Sequence, residues 1–273
     1  MQKEDLALVC QQVVLLAKET GKFIAQEAAA FDKANIEYKG LNDLVSYVDK
    51  ETEKLLVNGL REIVPQAGFI TEEGTTEGLE LQENPQNLRW IIDPLDGTTN
   101  FIHQLPIFAI SIALMQEDEV LVGVVHEINR DECFYAWKGG GAFCNGAPIS
   151  VSPAPKLSDG LLATGFPYYN FDRINAYLSI LNELMRRTHG LRRMGSAAVD
   201  LAYVACGRFE GYFEYNLKPW DVAAGVLLVT EAGGFVGDFS GGKDYVFGRQ
   251  LVAGNASYEE LLSVIKEHWI HDS

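Results

Sequence analysis

A chain of 273 residues with 47% hydrophobic and 22% charged side chains carries enough apolar material for a sizeable core, in one large domain or two ordinary ones. Its 38 acidic against 22 basic residues give a formal charge of −16, which argues against a nucleic-acid partner gripped through its phosphates, because that needs a basic face. No stretch reaches the ~18 apolar residues of a membrane span, and the opening MQKEDLALVCQQVVLLAKETGKF is charged at helical intervals, unlike a signal peptide, so a cytoplasmic protein with no membrane attachment is expected.

In chain order, Leu6, Val9, Val13, Leu16 and Phe23 fall at three- and four-residue steps or their multiples, which predicts an amphipathic helix over residues 4–30. A second helix is predicted from Leu44 to Ile63, ending before Pro65. From Leu88 the pattern shortens to the β-rich runs RWIID, FAISIALM, VLVGVVHE and ECFYAWK, parted by turn-like QEDE and INRDE. That rhythm predicts an antiparallel meander, closed by GGGAFCNG. Beyond VSPAPKLSDG the order becomes strand, helix, strand. LLATGF leads to a helix near 172–188, then LRRMG, a helix over 196–206, FEGYFEY, a helix over 221–232, GGFVGDF, QLVAGN and a last helix from Ser257. The expected division is residues 1–152, helices plus antiparallel sheet, and residues 153–273, an α/β half packed on it. Cys10, Cys133, Cys144 and Cys206 are widely spaced without a CxxC pair and read as free thiols.

The run WIIDPLDGTTNFIH, Trp90 to His103, concentrates the chemistry. A buried strand runs into Asp93, and Pro94 predicts an end to central pairing. Asp96 follows three residues on, Gly97 takes dihedrals other residues avoid, and Thr98 and Thr99 are placed to open a helix. Two carboxylates there suit a hard cation, and the N–H groups of Gly97 and Thr98 suit a phosphate oxygen. Asp-Pro and Asp-Gly are also ordinary turn signals, so this segment by itself leaves a capped turn equally open. Thr71-Glu72-Glu73-Gly74 follows apolar Phe69-Ile70, and Pro219-Trp220-Asp221 opens a helix in which Asp221 could be a plain cap. Lys39, Asp43 and Asp49 lie on and before the second helix, where Asp43 reads as a cap. No histidine has metal spacing, and none is given a role. Arg192 and Arg193 could contact an anion, and the aromatic run Phe166 to Phe171 could line a substrate mouth or a subunit contact, but surface and packing roles are the preferred readings.

Taken together, these segments resemble the inositol monophosphatase family over nearly the whole chain. WIIDPLDGTTNFIH matches its first signature and WDVAAGVLLVTEAGG, residues 220–234, its second. EEG at 72–74, KGLNDLVSYVD at 39–49 and MGSAA at 194–198 resemble further elements in the same order. The resemblance implies an α/β (α+β) fold, the layered αβαβα sandwich of the sugar-phosphatase and inositol monophosphatase type, with the site between the halves. It implies a Mg²⁺-dependent, Li⁺-sensitive phosphatase, a homodimer, acting on a small phosphorylated alcohol or sugar. Glu72, Asp93 and the carbonyl of Leu95 would bind a first Mg²⁺. Asp93, Asp96 and Asp221 would bind a second, with a third, looser ion near Glu72. Glu72, and Thr98 paired with Asp49, would orient the attacking water. Gly97 and Thr98 would hold the phosphate, while Gly195, Ser196, Ala197 and Glu214 would face the alcohol.

The closest likeness is to inositol monophosphatases proper, which makes myo-inositol 1-phosphate the expected substrate. Fructose 1,6-bisphosphate, histidinol phosphate, adenosine 3′,5′-bisphosphate and NADP are the alternatives within the fold, and a non-catalytic regulatory protein is the alternative outside it. Ser196 stands where many relatives have Thr, which keeps the hydroxyl and loses a methyl. An aspartyl-nucleophile phosphatase is disfavoured, because its two acids are spaced by two and Asp93 and Asp96 by three with Pro94 between.

Overall fold

The computed structural model describes residues 3–31, 36–40, 43–76, 84 and 86–270. The side chains of Lys39 and Asp43 lie outside the described set, as does His271.

The first half builds helices α1 (Lys3–Ala30) and α2 (Tyr47–Ile63) around a small hairpin of β1 (Ile36–Gly40) and β2 (Asp43–Ser46). The predicted second helix therefore starts at Tyr47 rather than Leu44, because residues 43–46 pair with β1. A seven-stranded sheet follows in sequence order: β3 (Gly68–Thr71), β4 (Leu88–Asp96), β5 (Ala109–Gln116), β6 (Glu119–Glu127), β7 (Glu132–Trp137), β8 (Gly141–Cys144) and β9 (Ala147–Ile149). β3 runs parallel to β4 and every other pairing is antiparallel, as the meander pattern predicts. A short helix α3 (Thr98–Ile102) sits between β4 and β5.

The second half adds β10 (Leu161–Thr164), α4 (Ile174–Arg187), β11 (Gly190–Arg192), α5 (Ala197–Ala205), β12 (Gly211–Tyr215), α6 (Pro219–Glu231), β13 (Phe235–Gly237), β14 (Gln250–Gly254) and α7 (Tyr258–Ile270). Its five strands pair in the order β11-β10-β12-β14-β13.

The layers follow from which faces are apolar. Trp90, Ile92, Ile110, Ile112, Leu114, Val122 and Val124 pack with α1 and α2 on one face of the large sheet. Their neighbours Ile91, Ala113, Met115 and Val125 pack on the other face with α5 and α6. Both faces are covered, so β4 to β6 read as nearly continuous apolar runs rather than as an alternation. Ala163, Tyr212, Leu251 and Ala253 join α5 and α6 from the small sheet, while Leu162, Phe213 and Val252 face α4 and α7. The result is an α-β-α-β-α sandwich with α5 and α6 as the shared middle layer. Contact there is close: a Cβ on Gly123 of β6 would lie 2.7 Å from the carbonyl oxygen of Ala224 on α6.

Candidate active site

β4 does not end at Pro94 as predicted. Pairing with β5 runs from Leu88↔Gln116 to Asp93↔Ser111 and resumes at Asp96↔Ala109 across a bulge. The bulge takes up Pro94, whose missing N–H is not needed there, and Asp93 and Asp96 on either side of it line one cavity. Asp93 is 2% exposed, and its Oδ1 accepts from the Leu95 N–H at 3.0 Å. Gly97 has φ 98°, and a side chain there would meet the Ile107 carbonyl and Phe108. Thr98 Oγ1 lies 2.9 Å from Asp49 Oδ1 and 3.1 Å from the Leu95 carbonyl, so one proton serves two acceptors. Asp49 is 1% exposed on the first turn of α2.

Glu72 stands on the turn after β3, and the fully buried Glu53 of α2 holds that turn. Its carboxylate accepts from the Glu73 N–H at 2.7 Å, the Thr75 N–H at 2.8 Å and the Thr75 hydroxyl at 2.7 Å. Sequence reasoning misses Glu53. Its spacing from Asp49, Leu56 and Leu60 puts it on the buried face of α2, and that was the available signal.

The second half reaches across to the same place. Asp96 Oδ2 accepts from the Ser196 hydroxyl and from the Ala198 N–H, each at 2.7 Å, so it receives the opening turn of α5 as an anion. Asn100 Nδ2 donates to the Ile107 carbonyl at 2.8 Å and to the Met194 carbonyl at 2.9 Å, tying the two loops together. Gly195, at φ 92°, leaves no room for a side chain beside Asn100 and Arg193. Asp221 lies in the first turn of α6, and its Oδ2 accepts from the Lys218 N–H at 2.7 Å. The capping role open to Asp221 from sequence is thus present, and it coexists with a place in the cavity.

One cavity of about 510 Å³ gathers these groups. From the first half it takes Glu72, Asp93, Leu95, Asp96, Gly97 and Thr98, and from the second Gly195, Ser196, Ala197, Glu214 and Asp221. Asp49 reaches it through Thr98. Tyr168 and Tyr169 of the aromatic run also line it, the alternative left open from sequence, and Asp200 and Lys218 are among the lining residues with no role expected from sequence. Arg193 also lines it, with its guanidinium over the rings of Phe166 and Tyr168.

Carboxyls crowded in a poorly solvated space resist ionisation. Burial, then Glu72, Asp96 and Asp221, push Asp93 well above the usual carboxylate range, and the Glu72 and Asp93 carboxyls hydrogen-bond to each other. Burial raises Asp96 to about 6, against the lowering effect of its bonds from Ser196 and Ala198. Burial and Asp96 also raise Asp221. Burial raises Glu214 to about 7, although Tyr212 donates to it at 2.6 Å. Among the described residues no three His, Cys, Asp or Glu side chains are grouped closely enough to hold a metal ion as they stand, and Asp96 and Asp221 each give one oxygen to a helix start. The donor set nonetheless fits hard divalent cations: it is all oxygen, and two of its carboxyls share a hydrogen bond where a cation would let both ionise.

Glu214 owes its position to Gly165, because a Cβ there would lie 1.8 Å from the Glu214 carboxylate. Gly165→Ala is expected to swing that side chain away with little change in stability, because the atom displaced is the far end of a flexible side chain. A crystal structure of the variant beside a thermal melt checks this; an unmoved Glu214 carboxylate would contradict it.

Comparison with known proteins gives the family of the chain. The description "Inositol monophosphatase family" covers residues 5–270. The chain is 45% identical over 242 residues to the Nus factor SuhB of Escherichia coli (strain K12), covering 89% of each protein. It is 39% identical over 257 residues to an inositol-1-monophosphatase of Mesorhizobium japonicum, covering 93% of this chain and 95% of that one. The crystal structure of the extragenic suppressor protein suhB from Bartonella henselae matches with a TM-score of 0.88 at 40% identity, over 95% of this chain and 99% of the other. On the family match, the identities and the fold, the chain belongs to the inositol monophosphatase family.

Proposed function

We propose that the protein is a Mg²⁺-dependent phosphomonoesterase of small phosphorylated alcohols, with myo-inositol 1-phosphate as its substrate. The observation that carries this reading is the cavity that places Glu72, Asp93, Asp96 and Asp221 beside Gly97 and Thr98 on one side and Glu214 on the other. Glu72, Asp93 and the Leu95 carbonyl would hold one Mg²⁺, and Asp93, Asp96 and Asp221 a second, with room for a third near Glu72. Bound there, the ions would neutralise the phosphate, acidify a water and stabilise the departing alkoxide.

The chain's own groups do the rest. Thr98, held by Asp49, and Glu72 orient the attacking water and receive its proton. The N–H groups at Gly97 and Thr98 take phosphate oxygens, and Gly97 supplies the φ of 98° that this turn takes. Asp96 and Asn100 lock the opening of α5 against β4, so Gly195, Ser196 and Ala197 keep a fixed distance from the phosphate. Glu214 accepts from a hydroxyl of the alcohol. Mutual repulsion of the carboxyls stores a preference for cations, which the anionic substrate then shares.

A second reading comes from the relatives at 45% identity that carry the name Nus factor: a binding role, beside turnover or in place of it. The charge of −16 makes direct contact with nucleic-acid phosphates a poor basis for such a role. No described helix is long and apolar enough to cross a membrane. A phosphate-release panel over inositol, fructose, histidinol, adenosine and NADP phosphates with Mg²⁺ tests both readings. Selective release from myo-inositol 1-phosphate supports the first. Preference for another ester reassigns the substrate, and release from none leaves the binding role.

A further inference from the structure

One buried acid in the cavity has no part in the reaction just described. Asp200, on the first turn of α5, is 1% exposed and belongs to the cavity wall. Its Oδ1 has no hydrogen-bond partner. Around it α5 is apolar and buried, with Val199, Leu201 and Ala202 in the core shared by the two sheets. A purely structural residue at this position would be apolar, because a buried carboxyl left unsatisfied does not recover its desolvation penalty.

The groups that act on Asp200 electrostatically are Glu214 and Asp96, of like charge, and Arg193, of opposite charge. Tyr212 Oη donates to Glu214, and Arg193 donates to Tyr168, while the buried Arg193 Nε has no partner. Asp200 and Glu214 thus line one cavity in which an acceptor, Asp200 Oδ1, and a donor, Arg193 Nε, are both left unsatisfied. The chemistry that satisfies such a pair is a molecule bearing several hydroxyl groups.

We propose that Asp200 is a specificity-determining residue: together with Glu214 it receives hydroxyls of the leaving alcohol, so the site selects phosphate esters of cyclic polyols or sugars over esters lacking hydroxyls. This rests on the phosphatase reading above and adds a residue and a selectivity to it. The unsatisfied Asp200 oxygen is then the cost of a polar group inside an apolar helix: stability is exchanged for recognition.

The test compares wild-type protein with Asp200→Leu, which keeps the side-chain shape, and Asp200→Asn, which keeps an acceptor. Substrates are myo-inositol 1-phosphate and phenyl phosphate, whose leaving group has no further hydroxyl. Asp200→Leu is expected to raise KM for the inositol ester about tenfold or more, with kcat and the phenyl phosphate kinetics changed less than about threefold. Asp200→Asn recovers most of the loss. The ligand-free Asp200→Leu protein melts at or above the wild-type temperature, because the unsatisfied carboxyl is gone. Equal losses on both esters, an unchanged KM for the inositol ester, or a lowered melting temperature would overturn the inference. Wild-type protein inert on both esters would instead overturn the phosphatase reading, and the inference with it.

Discussion

Asp96→Asn and Asp221→Asn should each lower phosphate release by roughly two to four orders of magnitude while the folded protein persists. The same side chains do two jobs. Asp96 accepts bonds from Ser196 and Ala198 at the start of α5, and Asp221 accepts one from Lys218 at the start of α6. An asparagine oxygen still accepts at those positions, so the helix openings survive. What asparagine removes is the negative charge, and with it a ligand whose value comes from that charge. Steady-state phosphate release and a circular-dichroism melt on the same preparations distinguish the jobs. Near-normal rates in both variants would remove Asp96 and Asp221 from the metal site. A collapse of the melt would show that the capping role dominates.

The second large effect concerns stability and pH. In the metal-free protein burial raises Asp96 to about 6 and Glu214 to about 7, and Asp93 and Asp221 are raised as well. A carboxyl whose folded-state pKa exceeds its unfolded value binds more protons when folded, so its contribution to stability is present at low pH and is lost as pH rises. For Asp96 and Glu214 the loss runs from about 4 to about 6 and 7 respectively, starting at the ordinary carboxylate range. The melting temperature of protein in EDTA should therefore fall between acid and neutral pH. Mg²⁺ must compete with protons for the same oxygens, so its stabilisation grows in the same direction. At a concentration near 100 times Kd it adds about 2.7 kcal/mol, which for a chain of this length is roughly 5–10 °C. A Mg²⁺-induced shift of that size at pH 8 that shrinks at pH 5 is the expected pattern. A pH-independent shift, or none, would mean that the acidic cluster is not where the ion binds.

Much of this architecture is legible in the residues because two periodicities carry it. The three- and four-residue steps of α1 and the continuous apolar runs of β4 to β6 are imposed by burial, so they survive without knowledge of the fold. The exceptions have local causes. β4 passes Pro94 because a bulge absorbs a proline, and nothing in the composition of the strand announces a bulge. The second helix begins at Tyr47 because β2 pairs with β1, a preference that helical periodicity does not contain.

The site divides in the same way. Asp93, Asp96, Gly97 and Thr98 are neighbours in sequence and so could be read together, though their local pattern also fits a capped turn. What resolves the turn is tertiary: Asp96 faces Ser196 and Ala198 about a hundred residues on, and Glu72 faces Asp93. Glu53 and Gly165 act through contacts of that kind, and neither they nor Asp200 belong to a short motif. Asp200 did leave one trace, a lone acid inside the apolar run Ala197 to Ala205, where core packing offers no reason for it.

The most direct measurement is inorganic phosphate released from myo-inositol 1-phosphate by the purified wild-type chain, with Mg²⁺ and with EDTA. The account predicts multiple turnovers with Mg²⁺ and none above background with EDTA. Release that is indifferent to the metal, or no release with Mg²⁺ present, would contradict it.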